Sequence, residues 1–479
     1  MTIVDTDWEL VVGLEVHAEL ATATKVFCQC PNRFGDEPNT NVCPVCLGLP
    51  GSLPVLNQRV VELAIRLGQA LHCEVRSSIF HRKNYFYPDM PKDYQISQYD
   101  QPINVGGRLE LPSARRIGIV RAHLEEDTGK STHAGAAAGG RIHGSEYSLV
   151  DYNRAGVPLL EIVSAPDIRS VDEAREYVGE LRALLVATGV SDAKMEEGSM
   201  RVDANVSVRP RGTTDFGTRC EIKNLNSVRS LGRAIEYEMH RQIDLLEAGE
   251  PVRQETRHWD EGDGRTHTLR TKEDADDYRY FPEPDLVPLA PSDEWLAEAR
   301  AALPLLPAAR RERLAAAASR APADAAVAVI VERGQDDVAV DAIAAGGDAG
   351  RVLVHVEHDL GADDVVRADR LAALTQLEVS GALTATQAKA VLADIVAAGG
   401  DADPAAVAAA KGFEAMDTGA LEAAVDAAIA ADPTAWGKYL AGDDKVAGAF
   451  VGPVMKATKG KADGKAVTAL LRARRDAAH

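Results

Sequence analysis

The chain has 479 residues, too many for one ordinary core, so two or three domains are expected. With 46% hydrophobic and 26% charged residues it has the composition of a soluble globular protein, and no apolar run is long enough to span a bilayer. The net charge of −20 argues against broad, non-specific nucleic-acid binding, so any RNA contact must come from local basic patches.

The opening MTIVDTDWELVV has neither a basic start nor a cleavage site, which predicts a cytoplasmic protein. In WELVVGLEVHAEL, strict alternation sets Val12, Leu14, Val16, Ala18 and Leu20 on one face and Glu15, His17 and Glu19 on the other. This is a strand with an apolar back and a face offering two carboxylates and an imidazole. For a single strand the default is an ordinary solvated face.

Four of the six cysteines follow at once, as CQC and CPVC. Disulfides are not expected in a cytoplasmic chain. Cys28, Cys30, Cys43 and Cys46 read as a closed tetrahedral zinc site, structural because no ligand position stays open. The competing reading, four small core cysteines, suits the isolated Cys73 and Cys220 better. A redox role for CPVC lacks a thioredoxin-like βαβ setting.

Next comes FHRKNYFYPDMPKDYQISQYDQP, which sets Arg82, Lys83 and Lys92 among Tyr85, Phe86, Tyr87, Tyr94 and Tyr99, in a chain with only 5% aromatic residues. A second such segment, DDYRYFPEPDL, carries Tyr278, Arg279, Tyr280 and Phe281. Aromatics beside cations stack on adenine or on unpaired bases, but they also order Pro-rich loops against a core.

The strand pattern recurs. RIGIV runs into RAHLEED, with Glu125, Glu126 and Asp127 in a row. VPLLEIV sets Glu161 in an apolar run, where an unpaired carboxylate is costly to bury. SMRVDANVSVRPR alternates Arg201, Asp203 and Asn205 with valines and an alanine, and RCEIKN puts Glu221 and Lys223 on one face. An antiparallel sheet with one such polar face suits Mg²⁺ or Mn²⁺ bridging ATP phosphates. No GxxxxGK[ST] loop is present, so a P-loop is not the ATP site.

From Ser292 onward the chain turns alanine-rich with helical spacing, after the breaker FPEPDLVPLAP; a second break falls at GGDADP. These breaks predict an α+β domain at 1–291, a helical domain at 292–403 and a small helical tail at 404–479. The tail holds Lys456, Lys459, Lys461, Lys465, Arg472, Arg474 and Arg475.

GLEVHAEL, FHRKNYFYPDMPKDYQISQ, HLEEDTGKSTH, DYNRAGVPLLEIVSAPD, KMEEGSMRVDANVSVR, EIKNLNS and DDYRYFPEPDL occur in this order. Together they closely resemble the B subunits of aspartyl/glutamyl-tRNA amidotransferases, and FVGPVMKATKGKADGKAV looks like that family's C-terminal module. The resemblance implies a glutamine synthetase-like antiparallel-sheet cradle, followed by an all-α domain and a small all-α tail that binds tRNA. It implies that Glu15, His17, Glu126 and Glu161 hold the catalytic Mg²⁺ (or Mn²⁺), with Asp203 and Glu221 near a second ion. Lys83, Lys194, Arg201 and Lys223 are candidates for phosphate or acyl-tRNA contacts, on charge and placement. The four cysteines match a zinc knuckle found in many members.

The implied reaction uses ATP to phosphorylate the side-chain carboxylate of Glu-tRNA(Gln) or Asp-tRNA(Asn). Ammonia from an amidase A subunit then displaces phosphate, and the pair is steadied by a small C subunit. Two other readings compete. A free-standing ligase for small amino acids has no need of the basic tail, and a non-catalytic zinc-bearing tRNA-binding protein has no need of the repeated carboxylate strands.

Overall fold

The computed structural model describes residues 7–134, 146–271, 278–361, 363–413, 418–458 and 464–477. Two compact units emerge, Met1–Ala308 and Ala309–His479, in an α+β chain whose strands lie in the first unit.

The strands in chain order are β1 (Trp8–Glu19), β2 (Glu74–Val75), β3 (His81–Asn84), β4 (Tyr94–Ser97), β5 (Asn104–Val105), β6 (Arg108–Glu110) and β7 (Arg116–Glu126). They continue as β8 (Lys130–Ala134), β9 (Tyr147–Asp151), β10 (Pro158–Ser164), β11 (Met200–Pro210), β12 (Cys220–Leu225), β13 (Glu255–Asp260), β14 (Arg265–Thr271) and β15 (Phe281–Pro282). The main sheet runs β14-β13-β12-β11-β1-β10-β7-β4-β3-β15, with β5 and β6 also on β7, while β8 and β9 form a separate hairpin. Pairing is antiparallel except between β12 and β13. That one parallel pair needs a crossover, which the helix Val228–Glu247 supplies between the two strands.

The alternation expected in β1 holds. Val12, Leu14, Val16 and Ala18 are fully buried, while Glu15, His17 and Glu19 are only half-buried. The apolar backs of β1, β7, β10 and β11 join the helices α1 (Gln58–Ala70), α2 (Val171–Ala187) and α3 (Val228–Glu247) in one core. Each helix starts on a side-chain cap: Asn57, Ser170 and Ser227 accept from backbone N–H groups of the first turn. With its apolar side buried under helices, the sheet turns its polar side the other way.

The first unit does not stop at residue 291. The helix Asp293–Ala301 brings Trp295, Leu296 and Ala299 onto the same core, next to α1. The second unit holds two cores. Helices from Pro307–Ala318 to Pro404–Ala410 gather around Leu314, Ile330, Leu371 and Leu392. The helices Thr418–Ala431 to Gly464–Asp476 gather around Tyr439, Phe450 and Leu471. Helix Pro404–Ala410 packs Ala408 into the earlier core, so the structural step between the cores falls after Phe413 rather than at 403/404. Among the described residues, no helix is long and apolar enough to cross a membrane.

Candidate functional site

Sheet register assembles the polar face. His17 on β1 stands opposite Glu161 on β10, and Glu161 stands opposite His123 on β7. On the other flank His17 pairs with Arg201, Glu15 with Asp203, and Asn205 with Glu221. Residues far apart in the chain thus meet in one patch.

Its centre is a cluster of His17, Glu125 and Glu161, with ligand-type atoms within 4.8 Å of one another. His17 Nε2 lies 3.4 Å from Glu161 and 3.7 Å from Glu125, and His123 Nε2 lies 3.5 Å from Glu161. Burial pulls the His17 pKa down, but the bond with Glu161 and the charges of Glu125, Glu161 and Asp203 prevail and push it up to about 9. Burial and the nearby Glu161 raise Glu125 to about 7. Burial opposes ionisation of Glu161 too, yet the His17 bond holds it well below the usual carboxylate range. His123 is fully buried and goes down to about 4, so it is neutral at pH 7. A proton on His17 thus balances carboxylates that face one another. This donor set, two carboxylates and an imidazole, fits a hard divalent cation, which would compete with that proton.

Glu15 stands beside the cluster. Asn205 donates to its carboxylate at 2.9 Å, and burial plus the Glu161 charge raise its pKa. Glu126 does not join. It follows Ala122 and Leu124 on the core side of β7, where it pairs with the buried Lys92 and accepts from the Ile96 N–H at 2.9 Å. The alternation places Glu125, its neighbour, on the polar face with His123. In the sequence the signal was Leu124: a carboxylate two residues from a core leucine shares its face.

Asp203 and Glu221 are joined by a lysine. Lys223 Nζ lies 2.7 Å from Asp203 and 2.8 Å from Glu221, and both charges keep its proton on despite burial. Arg201 donates to Asp127 at 2.7 Å, and Arg154 approaches the same carboxylate at 3.4 Å. Lys194 stands apart, paired with Glu197 at 3.0 Å on the surface.

The two aromatic segments form one wall. β15 pairs with β3, Tyr99 stacks on Tyr280 with centroids 4.1 Å apart, and Tyr85 meets Tyr278 edge-on. Lys83 Nζ sits 4.7 Å from the centre of the Tyr278 ring. Its charge reaches Glu125, and Tyr280 feels Glu125 and Glu161, so the wall borders the carboxylate cluster.

The second cluster is the loop after β1. Cys28, Cys30, Cys43 and Cys46 bring four sulfurs within 4.8 Å of one another. The Cys43 and Cys46 sulfurs are 3.9 Å apart. A tetrahedral zinc with bonds of about 2.3 Å requires about 3.8 Å between sulfurs, so the donor set fits. The Cys28 sulfur, the Cys43 backbone and Lys25 bring the Cys46 thiol down to about 5. Cys220 is buried and Cys73 half-buried, each apart from this cluster. A third group, Asp260, Asp263 and His267, lies on the β13–β14 hairpin.

In the tail, Lys456 is exposed on helix Gly448–Ala457. Lys459 and Lys461 lie outside the described residues, as does the Lys465 side chain. Two tail arginines are engaged internally: Arg474 with Asp426 at 2.8 Å and Arg475 with Asp444 at 2.7 Å.

Sheet, polar cluster and cysteine loop together define a catalytic domain of the GatB/GatE type, whose family model matches residues 10–297. The family model of the GatB domain matches residues 355–474. The aspartyl/glutamyl-tRNA(Asn/Gln) amidotransferase B subunit of Frankia casuarinae is 51% identical over 482 residues, covering 97% of this chain and 95% of the relative. Its counterpart in Nocardia farcinica is 49% identical, covering 97% and 95%, and that in Carboxydothermus hydrogenoformans 48%, covering 97% and 98%. The chain belongs to the family of aspartyl/glutamyl-tRNA(Asn/Gln) amidotransferase B subunits.

Proposed function

We propose that this chain activates and amidates the side chain of a tRNA-borne glutamate or aspartate, within a glutamine-dependent amidotransferase complex of the cytoplasm. The observation that carries this reading is the meeting of His17, Glu125 and Glu161, from three strands, on the polar face of a GatB/GatE-type domain. A carboxylate resists ammonia because its leaving group would be oxide. Transfer of the ATP γ-phosphoryl group to the carboxylate of Glu-tRNA(Gln) or Asp-tRNA(Asn) gives an acyl phosphate and ADP. Ammonia then displaces inorganic phosphate and loses a proton, leaving the amide.

Glu125, Glu161 and His17, with Glu15 beside them, would hold a Mg²⁺ or Mn²⁺ ion, which supplies charge neutralisation for the phosphoryl group. Lys83 adds positive charge beside the cluster, and the adjoining tyrosines offer a stacking surface for adenine. Asp127 holds Arg201 and Arg154 in place at the edge of the same face. Lys223 keeps Asp203 and Glu221 together, ready to exchange its charge for that of a second cation. Zinc at Cys28, Cys30, Cys43 and Cys46 would cross-link the loop.

The partners in this reading are an amidase A subunit that releases ammonia and a small C subunit. We read the chain as three functional parts, a cradle, a helical connector and a tail whose Lys456, Lys459, Lys461 and Lys465 meet tRNA. The test is tRNA-dependent ATP cleavage and amidation by the chain co-purified with those two subunits. Cleavage only with misacylated tRNA supports the reading. Equal cleavage with a free amino acid would point to a small-substrate ligase, and no cleavage at all to a binding protein.

A further inference from the structure

The cysteine loop meets the back of the sheet around a buried lysine. Lys25 has no exposed surface. Its ammonium donates to the backbone carbonyls of Asn41 at 2.8 Å and Tyr152 at 3.3 Å. Among the described residues, no carboxylate lies within ion-pair distance of it. Lys92, on the same pocket and nearly as buried, differs: its charge is taken up by Glu126. A buried ammonium offset only by carbonyl dipoles is unfavourable unless negative charge stands close by.

Glu126 lines the same pocket but is paired with Lys92, which leaves the cysteine sulfurs as the other source of negative charge. Lys25, Cys28 and Cys46 line one pocket. Lys25 and Cys46 flank the same residue, Gly156: the position of a Cβ there is 3.6 Å from both the Lys25 Cδ and the Cys46 Cβ. The Lys25 N–H also donates to the Cys30 carbonyl at 3.1 Å, so the lysine is tied to the loop at both ends. Four thiolates around one divalent ion leave a net charge of about −2. Cys30 and Cys46 are buried, so solvent screens that charge poorly.

We infer that Lys25 is the counter-cation of the four-cysteine metal centre, and that its charge sets how tightly the loop holds zinc. The inference rests on the zinc reading above. It goes beyond tying Asn41 to Tyr152, a role that any donor of suitable length fills. The distinction is charge: the tie needs N–H groups, whereas the metal centre needs a cation.

The test uses the full-length chain and competition for its zinc by the chromophoric chelator 4-(2-pyridylazo)resorcinol. Parental protein purified without chelator is assayed first; if it contains no zinc, the zinc reading itself fails. With zinc present, Lys25→Met is expected to weaken retention about 10-fold or more, the scale of lost outer contacts at metal sites. It should also destabilise the zinc-loaded protein more than the zinc-stripped protein. Zinc retention within about twofold of parental, or equal destabilisation in both states, would overturn the proposal. If Lys25→Met does not fold, Lys25→Arg and Lys25→Gln decide, since both keep donors but only one keeps the charge. Retention near parental in the arginine variant and weak in the glutamine variant supports the counter-cation, and equal retention in the two sinks it.

Discussion

The carboxylate cluster and the cysteine cluster of the first unit are built in opposite ways. The cysteines come from one short loop, fixed by its own turns and by hydrogen bonds such as Leu47 N–H to the Cys43 carbonyl. The carboxylates and imidazole come from β1, β7 and β10, strands far apart in the chain, and nothing but register brings them together. A slip of one residue in any of these strands would carry its donor to the apolar side. The sulfur site is therefore local and self-contained, whereas the oxygen site depends on the whole sheet. In the function proposed, one would hold a loop and the other would place charge at the reacting phosphate.

The sharpest way to break this contrast is to separate Glu125 from Glu126. Glu125→Gln, or His17→Ala, removes a donor from the polar face and leaves the buried apolar backs untouched. tRNA-dependent ATP cleavage by the assembled complex should fall at least ~100-fold with the fold retained by circular dichroism. Parental rates in both variants would return the cluster to the status of a solvated face.

Glu126→Gln should do the reverse. It leaves Lys92 buried without a charged partner, and urea unfolding should show a loss of about 3 kcal/mol, the lower end for a broken buried pair. Cleavage per folded molecule should drop less than in the Glu125 variant. An undiminished stability with cleavage abolished would mean that Glu126, not Glu125, faces the substrate.

The cysteine site should respond in stability. Cys43→Ser should remove about one zinc per chain and lower the thermal midpoint by about 5 °C, equivalent to roughly 2 kcal/mol in a domain of this size. The chemical rate at 25 °C should change less. A variant that keeps its zinc would show that the loop does not need all four sulfurs.

The mildest effect is expected from deleting residues 414–479, beyond the helix that completes the middle core. The remaining chain should fold, and the apparent tRNA affinity in amidation should weaken about tenfold, with a shallower dependence on salt. Unchanged affinity would leave the tail without a role in tRNA binding.

Much of the sheet face was legible because alternation is a local signal. The faces of β1 follow directly from Val12, Leu14 and Val16, and the four cysteines from their crowding. The resemblance points to Glu126, whereas the parity set by Ala122 and Leu124 puts Glu126 on the core side and Glu125 on the polar face. Earlier in β7 the register shifts opposite Val163 and Ser164, which breaks simple counting from Ile117 and Ile119. The bridge from Lys223 to Asp203 and Glu221, and the parallel pairing of β12 with β13, are matters of register and direction, which alternation does not encode. The same holds for charge: Arg474 and Arg475 read as part of a basic tail, and the fold supplies them with Asp426 and Asp444.

The position of β1 has a consequence for biosynthesis. It is made well before both its sheet neighbours, β10 and β11, which lie far downstream. At about 5–20 residues per second, about 10–40 s pass between its emergence and the completion of the partners. Until β10 is made Val12, Leu14 and Val16 have no strand on either edge, and α3 follows only after β11. These side chains therefore stay uncovered for longer during synthesis than those of a strand whose partner follows at once.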